Sequence, residues 1–303
     1  MMVAPHSSRP AATLAGVPVG GGAPVVVMGV LNVSPESFHA GSVHVAAGDA
    51  RRAVLAMVAA GAGLVDVGAL STAPYGRPPI PEDEEARRLG AAIATLAPGI
   101  GVPLSADTAR LVPARVALDA GATVLNDVTG FADPRVAALA AERRVSVILM
   151  ASPAAARAGG VPIDPCDPVG TVRACLAESL RRARRAGVLD EQVVLDPGIG
   201  FFLDAPPARA DWDARVLAGL ADLAVLGRPL AVGVSRKSFV GALTGTERPD
   251  DRLWGSLAAT ALAVAAGAAL VRTHDVGPTR DAVRVAEAIT AAARAGRGDG
   301  GGA

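Results

Sequence analysis

The chain has 303 residues, 51% of them hydrophobic, with 29 basic and 29 acidic side chains. That balance leaves no electrostatic footprint for nucleic acid or acidic lipid, and no apolar run reaches the roughly 18–20 residues of a membrane span. The amino terminus lacks the basic-then-apolar pattern of a secretory leader, and Cys166 and Cys175 suggest neither a disulfide framework nor a metal site; a cytoplasmic protein is expected.

In chain order, residues 1–23 are rich in Pro, Ser and Gly and read as a disordered N-terminal tail. Short apolar runs then alternate with longer helix-compatible stretches. The strand candidates are VVVMGVLNV (25–33), GLVDVG (63–68), VPLSAD (102–107), ATVLND (122–127), VSVILM (145–150), QVVLDPG (192–198), PLAVGVS (229–235) and AALVRTHD (268–275). They are apolar without strict alternation, as expected of parallel strands covered on both faces. Helices are expected over 47–60, 82–97, 111–120, 134–143, 168–186, 208–226, 252–266 and 279–294. Several open on proline or acidic residues, as in PEDEEARRL. Residues 296–303 (GRGDGGGA) read as a flexible glycine-rich tail.

Eight strand–helix units predict a (β/α)8 TIM barrel over residues 24–295, a single domain between two tails. A doubly wound sheet usually carries a glycine-rich turn after its first strand, and LNVSPES has none.

Catalytic groups of such a barrel sit at the C-terminal ends of its strands. Those ends carry Asn32, Asp66, Asp107, Asn126, Met150, Asp196, Ser235 with Lys237, and Arg272 with His274. Scarcity sharpens the pattern: Asn32 and Asn126 are the only asparagines, and Lys237 is the only lysine. Two carboxylates and an amide suit a planar heterocycle with a donor-rich edge, because a carboxylate accepts two parallel hydrogen bonds from a guanidine-like group. Arg272 and His274, two apart on a strand, could hold a phosphate. Asn32 offers an oxygen of the kind Mg²⁺ accepts alongside water and substrate phosphates, and Lys237 is a compact charge able to bond a ring acceptor and a second anion.

From about residue 25 to 290 the sequence resembles the dihydropteroate synthase family. The resemblance rests on MGVLNVSPESF (28–38), DVGALST (66–72), SADT (105–108), LNDVTGF (125–131), VILM (147–150), LDPGIGF (195–201), VGVSRKSFVGALTG (232–245), GSLAATALA (255–263) and VRTHDV (271–276), in order. It implies a pterin-binding barrel that condenses 6-hydroxymethyl-7,8-dihydropterin diphosphate with 4-aminobenzoate, using Mg²⁺ and working as a homodimer. By the same resemblance Lys237, Arg272 and His274 are catalytic. Asp107, Asn126 and Asp196 grip the pterin edge, Met150 forms a wall, and Lys237 and Arg272 enclose the ring. Asn32 is the metal ligand and, with Arg272 and His274, meets the diphosphate; Thr72, Phe201 and Ser238 belong to the substrate-binding set.

Departures cluster in the loops. Ala40 stands where the family usually has aspartate and Ala73 where it has arginine; a Met-His-Met run has become Met150, Ala151, Ser152, and Gly-Lys has become Phe202, Leu203. Arg77 could replace the lost arginine, and Tyr75 and Phe202 could either shape an amine pocket or anchor their loops. The alternatives are therefore a paralogue that passes the pterin to a different amine, a pterin-binding protein with little catalysis, or the pterin barrel of corrinoid methyltransferases.

Overall fold

The structure, a computed structural model, describes residues 10–33, 43–69, 80–202 and 209–298. Its strands are β1 (Ala11–Leu14), β2 (Val17–Gly20), β3 (Val26–Asn32), β4 (Leu64–Gly68), β5 (Leu104–Asp107), β6 (Val124–Asp127), β7 (Ser146–Met150), β8 (Val193–Asp196), β9 (Leu230–Val232) and β10 (Ala268–Thr273). Its helices are α1 (Val43–Ala59), α2 (Glu82–Leu96), α3 (Leu111–Asp119), α4 (Pro134–Arg143), α5 (Pro153–Gly159), α6 (Pro168–Ala186), α7 (Arg209–Ala218), α8 (Ser238–Thr244), α9 (Leu253–Ala265) and α10 (Val276–Gly298). Strands β3 to β10 pair in parallel and close into a barrel, β10 returning to β3. The expected (β/α)8 fold is the observed one.

Local chemistry sets the helix boundaries. Helices α4, α5 and α6 each begin with a capping side chain followed by proline. Asp133 accepts from the Arg135 amide, Ser152 from Ala155 and Asp167 from Gly170. Four acidic residues, Glu82 to Glu85, fill the first turn of α2 and complement its dipole.

Alternation inside the barrel positions the site. One apolar cluster contains Val26 and Met28 of β3, Leu64, Val124, Ile148, Val194, Ala231 and Leu270. Successive side chains of a strand point to opposite faces, so the residues two further on share that face. They include Asp66, Asn126, Met150, Asp196 and Arg272. The intervening residues, such as Val65, Leu125, Val147, Leu195 and Val271, belong to the larger cluster beneath the helices. Most strands are thus apolar outside and low down and carry their charged or amide side chain at the inner upper end; Ser105 of β5 and Ser146 of β7 are polar lower on that face.

The amino-terminal expectation needs correction. Residues 11–20, read as part of a disordered tail, form a β-hairpin. Its turn is Ala15-Gly16, both at positive φ, which matches the twist of a two-residue hairpin. Leu14 and Val19 are fully buried and join the apolar cluster that fills the lower barrel. Ser146 of β7 holds the hairpin in place, accepting from the Ala15 amide at 3.1 Å and donating to the Thr13 carbonyl at 2.9 Å. The eight barrel strands alone leave that end uncovered, and the hairpin seals it. At the other terminus α10 runs through Gly298, into the segment expected as a glycine-rich tail.

Smaller differences have local causes. The helix expected over 208–226 divides into α7 and a three-ten segment, Leu220–Leu226, at Gly219. A β-carbon there would lie 2.6 Å from Val169 of α6, so the chain passes too close for a side chain. Helices α5 and α8 were not anticipated, being one or two turns long and embedded in loops. Strand β9 is shorter than expected because the chain leaves the sheet after Val232.

Leu14→Ala removes a fully buried side chain from the barrel floor and should lower the unfolding free energy by about 2–5 kcal/mol. Urea denaturation measures it; a loss below about 1 kcal/mol would mean that the hairpin is not part of the core.

Candidate active site

The inner upper ends of the strands converge on one cation. Arg272, from β10, donates through Nε to Asp66 Oδ2 at 2.7 Å and through Nη2 to Asp107 Oδ2 at 2.8 Å. Asn126 of β6 donates to the same Asp66 oxygen at 3.0 Å. Asp66 is completely buried, and Asp107 and Asn126 nearly so. The second oxygens, Asp66 Oδ1 and Asp107 Oδ1, are buried and have no hydrogen-bond partner. Asp196, at the end of β8, turns one oxygen to the Gly198 amide at 2.7 Å.

The wall opposite is built by two loops. After β8 the chain runs through Gly198 and Gly200, both at positive φ. A β-carbon on Gly198 would lie 1.9 Å from the Ala151 carbonyl, so only glycine fits. The Gly200 amide donates to Asp213 at 2.9 Å, and Phe202 stacks on Trp212 with ring centres 5.0 Å apart. Phe202 is buried and is therefore a loop anchor, not the wall of an amine pocket. This turn presents Phe201, and the ammonium of Lys237 sits 4.4 Å from the centre of its ring. Asp107, Asn126, Met150, Asp196, Phe201, Lys237 and Arg272 line the resulting cavity, about 20 Å³ as it stands.

His274 follows β10 at the rim. Its Nδ1 lies 3.1 Å from the Ser235 hydroxyl, which also accepts the His274 amide at 3.2 Å. Arg272 therefore turns down to the floor while His274 turns to the β9 loop. Ser238 opens α8 directly after Lys237. Asn32, half-buried, ends β3 beside Gly68. Thr72, Ala40, Ala73, Tyr75, Arg77 and Leu203 lie outside the described residues.

Burial and mutual charge dominate the electrostatics. Burial, reinforced by the neighbouring Asp66, raises the Asp107 carboxyl above its usual range, and burial raises Asp196 likewise. Burial with the Arg272 charge lowers the Lys237 ammonium to about 8. Burial alone would lower Arg272, but Asp66 and Asp107 outweigh it and keep the guanidinium charged. Surrounding protein, then the guanidiniums of Arg236 and Arg272, press His274 down to about 4, so its ring is neutral at pH 7.

Sequence reasoning placed Asp66 at a strand end without giving it a role; the structure makes it the shared partner of Arg272 and Asn126. Asp213 and Trp212 were missed. They lie on a helix, and nothing in their spacing points to the loop that carries Gly200 and Phe202. A larger hollow, about 490 Å³, opens at the other end of the barrel near Pro10 and Gly20–Gly22. Its Glu287 is engaged with the Val25 amide and its Arg228 with backbone carbonyls; among the described residues no reactive groups converge there.

Residues 28–274 match the family model described as pterin binding enzyme. A dihydropteroate synthase of Synechocystis sp. is 37% identical over 264 residues, covering 87% of this chain and 89% of that protein. Among solved structures, the Xanthomonas albilineans dihydropteroate synthase with 4-aminobenzoic acid has a TM-score of 0.82 at 37% identity, covering 93% of this chain and 99% of that one. The same enzyme in complex with 7,8-dihydropteroate has a TM-score of 0.79 at 36% identity, with the same coverage.

Lys237 carries a stability cost. Its folded pKa lies below the ordinary 10.5, so between about pH 8 and 10.5 the unfolded chain holds a proton the folded chain has shed. Stability contributed at this site is therefore lowest below pH 8 and rises through that window. Lys237→Met should raise unfolding free energy at pH 7 by on the order of 1–3 kcal/mol and flatten the alkaline rise in a pH series of denaturation curves. A variant less stable than wild type at pH 7 would contradict this.

Proposed function

The chain belongs to the dihydropteroate synthase family and is a transferase of folate biosynthesis, and from that premise we propose how its own residues carry the reaction. The substrates are 6-hydroxymethyl-7,8-dihydropterin diphosphate and 4-aminobenzoate. The observation that carries this reading is the convergence of Asp107, Asn126 and Asp196 beneath Lys237 at the barrel mouth, each on a different strand.

In this reading the pterin lies flat in the mouth. Its donor-rich edge meets Asp107 and Asp196, whose carboxylates have acceptor capacity left, while the Lys237 ammonium donates to a ring acceptor. Met150 and Phe201 pack against the faces. His274, neutral at pH 7, donates to the diphosphate as an uncharged group, with Arg272 as the nearby fixed cation and Asn32 beside them. The C–O bond to diphosphate breaks first and its electron pair leaves with the phosphate. The carboxylates below stabilise the resulting cationic methylene without reorganising. The amine of 4-aminobenzoate, held near Phe201 and Ser238, forms the new C–N bond and sheds a proton.

Among the described residues no three His, Cys, Asp or Glu side chains cluster to bind a metal. Asn32 supplies a single hard oxygen, and that fits Mg²⁺, which keeps most of its water and takes its other ligands from substrate phosphates. Bound there, the ion would add charge neutralisation for the leaving diphosphate.

We also propose a homodimer joined through α9 and α10. Trp254 and Leu262 of α9 are 78% and 72% exposed, and Val285 and Ile289 of α10 are 60% and 65% exposed. Trp254 and Leu262 stand eight residues apart on one helix face, an apolar surface that calls for a partner. Leu262→Glu should convert a dimer to a monomer in light scattering after size exclusion. A wild type that is monomeric at micromolar concentration would refute the assembly.

Purified protein with Mg²⁺ and both substrates should release diphosphate and form dihydropteroate, and Asp196→Asn should lower kcat/KM by about 100-fold. Absence of product while a pterin ligand still binds would overturn the choice of amine. Full activity in Asp196→Asn would overturn the proposed floor.

A further inference from the structure

Among the described residues only four non-glycine positions adopt positive φ: Ala15, Phe131, Arg144 and Arg236. The first lies in the hairpin turn, Phe131 in the turn after β6, where Asp127 accepts the Thr129 and Phe131 amides, and Arg144 caps α4. Arg236, at φ 60°, is different. It stands between Ser235, which holds His274, and Lys237, which lies over Phe201. Nearby positive-φ positions, at Gly198, Gly200 and Gly245, use glycine. A side-chain-bearing residue in this region is strained and persists only where surrounding structure holds it.

The surroundings hold Arg236 at every polar group. Its amide donates to Ser256 Oγ at 2.9 Å, and its carbonyl accepts from Arg252 Nη1 at 3.0 Å. Its guanidinium forms a two-point pair with Asp275, Nε to Oδ2 at 3.1 Å and Nη2 to Oδ1 at 2.8 Å, and reaches Asp250 through Nη1. Asp250 is well exposed, so that contact adds little. Asp275 is half-buried and follows His274 directly. Together with Ser235, which holds His274 directly, this side chain ties the loop that leads from β9 to Lys237 and Ser238 to the segment that follows Arg272 at the end of β10.

We propose that Arg236 is a positioning residue for the transfer reaction. Its paired guanidinium sets the spacing between Lys237 on the ring side of the site and His274 on the diphosphate side. Glycine would adopt the same backbone without strain, so the arginine is kept for the bridge and not for the turn. The forked geometry also excludes lysine, whose single ammonium cannot bond both Asp275 oxygens in parallel.

The inference rests on the synthase reading above, and its test separates the two. Arg236→Gly should stay folded, with a midpoint within a few degrees of wild type. Its kcat should fall at least 10-fold while both KM values change less than about 3-fold, the pattern of a lost alignment rather than lost binding. Arg236→Lys should recover only a small part. Adding Asp275→Asn to Arg236→Gly should cost nothing further, since both remove one bridge. Wild-type kcat in Arg236→Gly, or a loss confined to KM, would overturn the proposal. A second readout does not depend on turnover. Lys237 is the only lysine, so reductive methylation with ¹³C-formaldehyde gives one lysine resonance beside that of the terminal amine. That resonance should shift and broaden in Arg236→Gly; an unchanged signal overturns the positioning role even if the wild type proved inactive with these substrates.

Discussion

One guanidinium between two buried carboxylates organises the upper half of this barrel. Arg272 reaches from the last strand across the interior to Asp66 and Asp107, and Asn126 closes the set from a fourth strand. Removing any charged member would strand another in a low-dielectric interior, which costs far more than the pair gains by forming. The arrangement therefore has a defined geometry, with Asp66 buried beneath and Asp107, Asn126 and Arg272 lining the cavity.

The same strands divide their labour along their length. Their lower inner positions are mostly aliphatic and pack with the hairpin's Leu14 and Val19, and Ser146 bonds the hairpin backbone. Their upper inner positions are polar and would destabilise any core they entered. Because side chains alternate with a period of two, each strand changes from packing to chemistry within a single step on one face. Stability is concentrated at one end of the barrel and reactivity at the other, which is the separation this architecture allows.

The loops add what the strands lack. The turn after β8 is held by Asp213 and by the Phe202–Trp212 stack, so that Phe201 can lie under Lys237. The family's usual Gly-Lys at 202–203 has here become an aromatic anchor followed by leucine. At Phe202 the change supplies a support, since the ring is buried against Trp212 and is not among the residues lining the cavity. The β9 and β10 loops are tied by Arg236 across to Asp275, so two loops with separate sequence origins behave as one edge of the site.

Much of this was legible in the residues alone. Eight apolar runs with polar ends specified the barrel, because parallel strands covered on both faces have few other ways to be written. The rarity of lysine and asparagine marked Lys237, Asn32 and Asn126, since scarce residues kept at strand ends are placed there for their chemistry. Other features depended on contacts distant in sequence and so left no local trace. The hairpin looked like tail because four-residue strands joined by Ala-Gly gain order only when the open barrel end accepts Leu14. Asp66 became a partner of Arg272, 206 positions away, only when the barrel closed. Phe202 was equally readable as wall or anchor until Trp212 stood beside it. Sequence by itself determined the fold and which groups stand at the rim. Tertiary structure decided which of them face one another, because hydrogen bonds between strands are set by barrel closure and not by spacing along the chain.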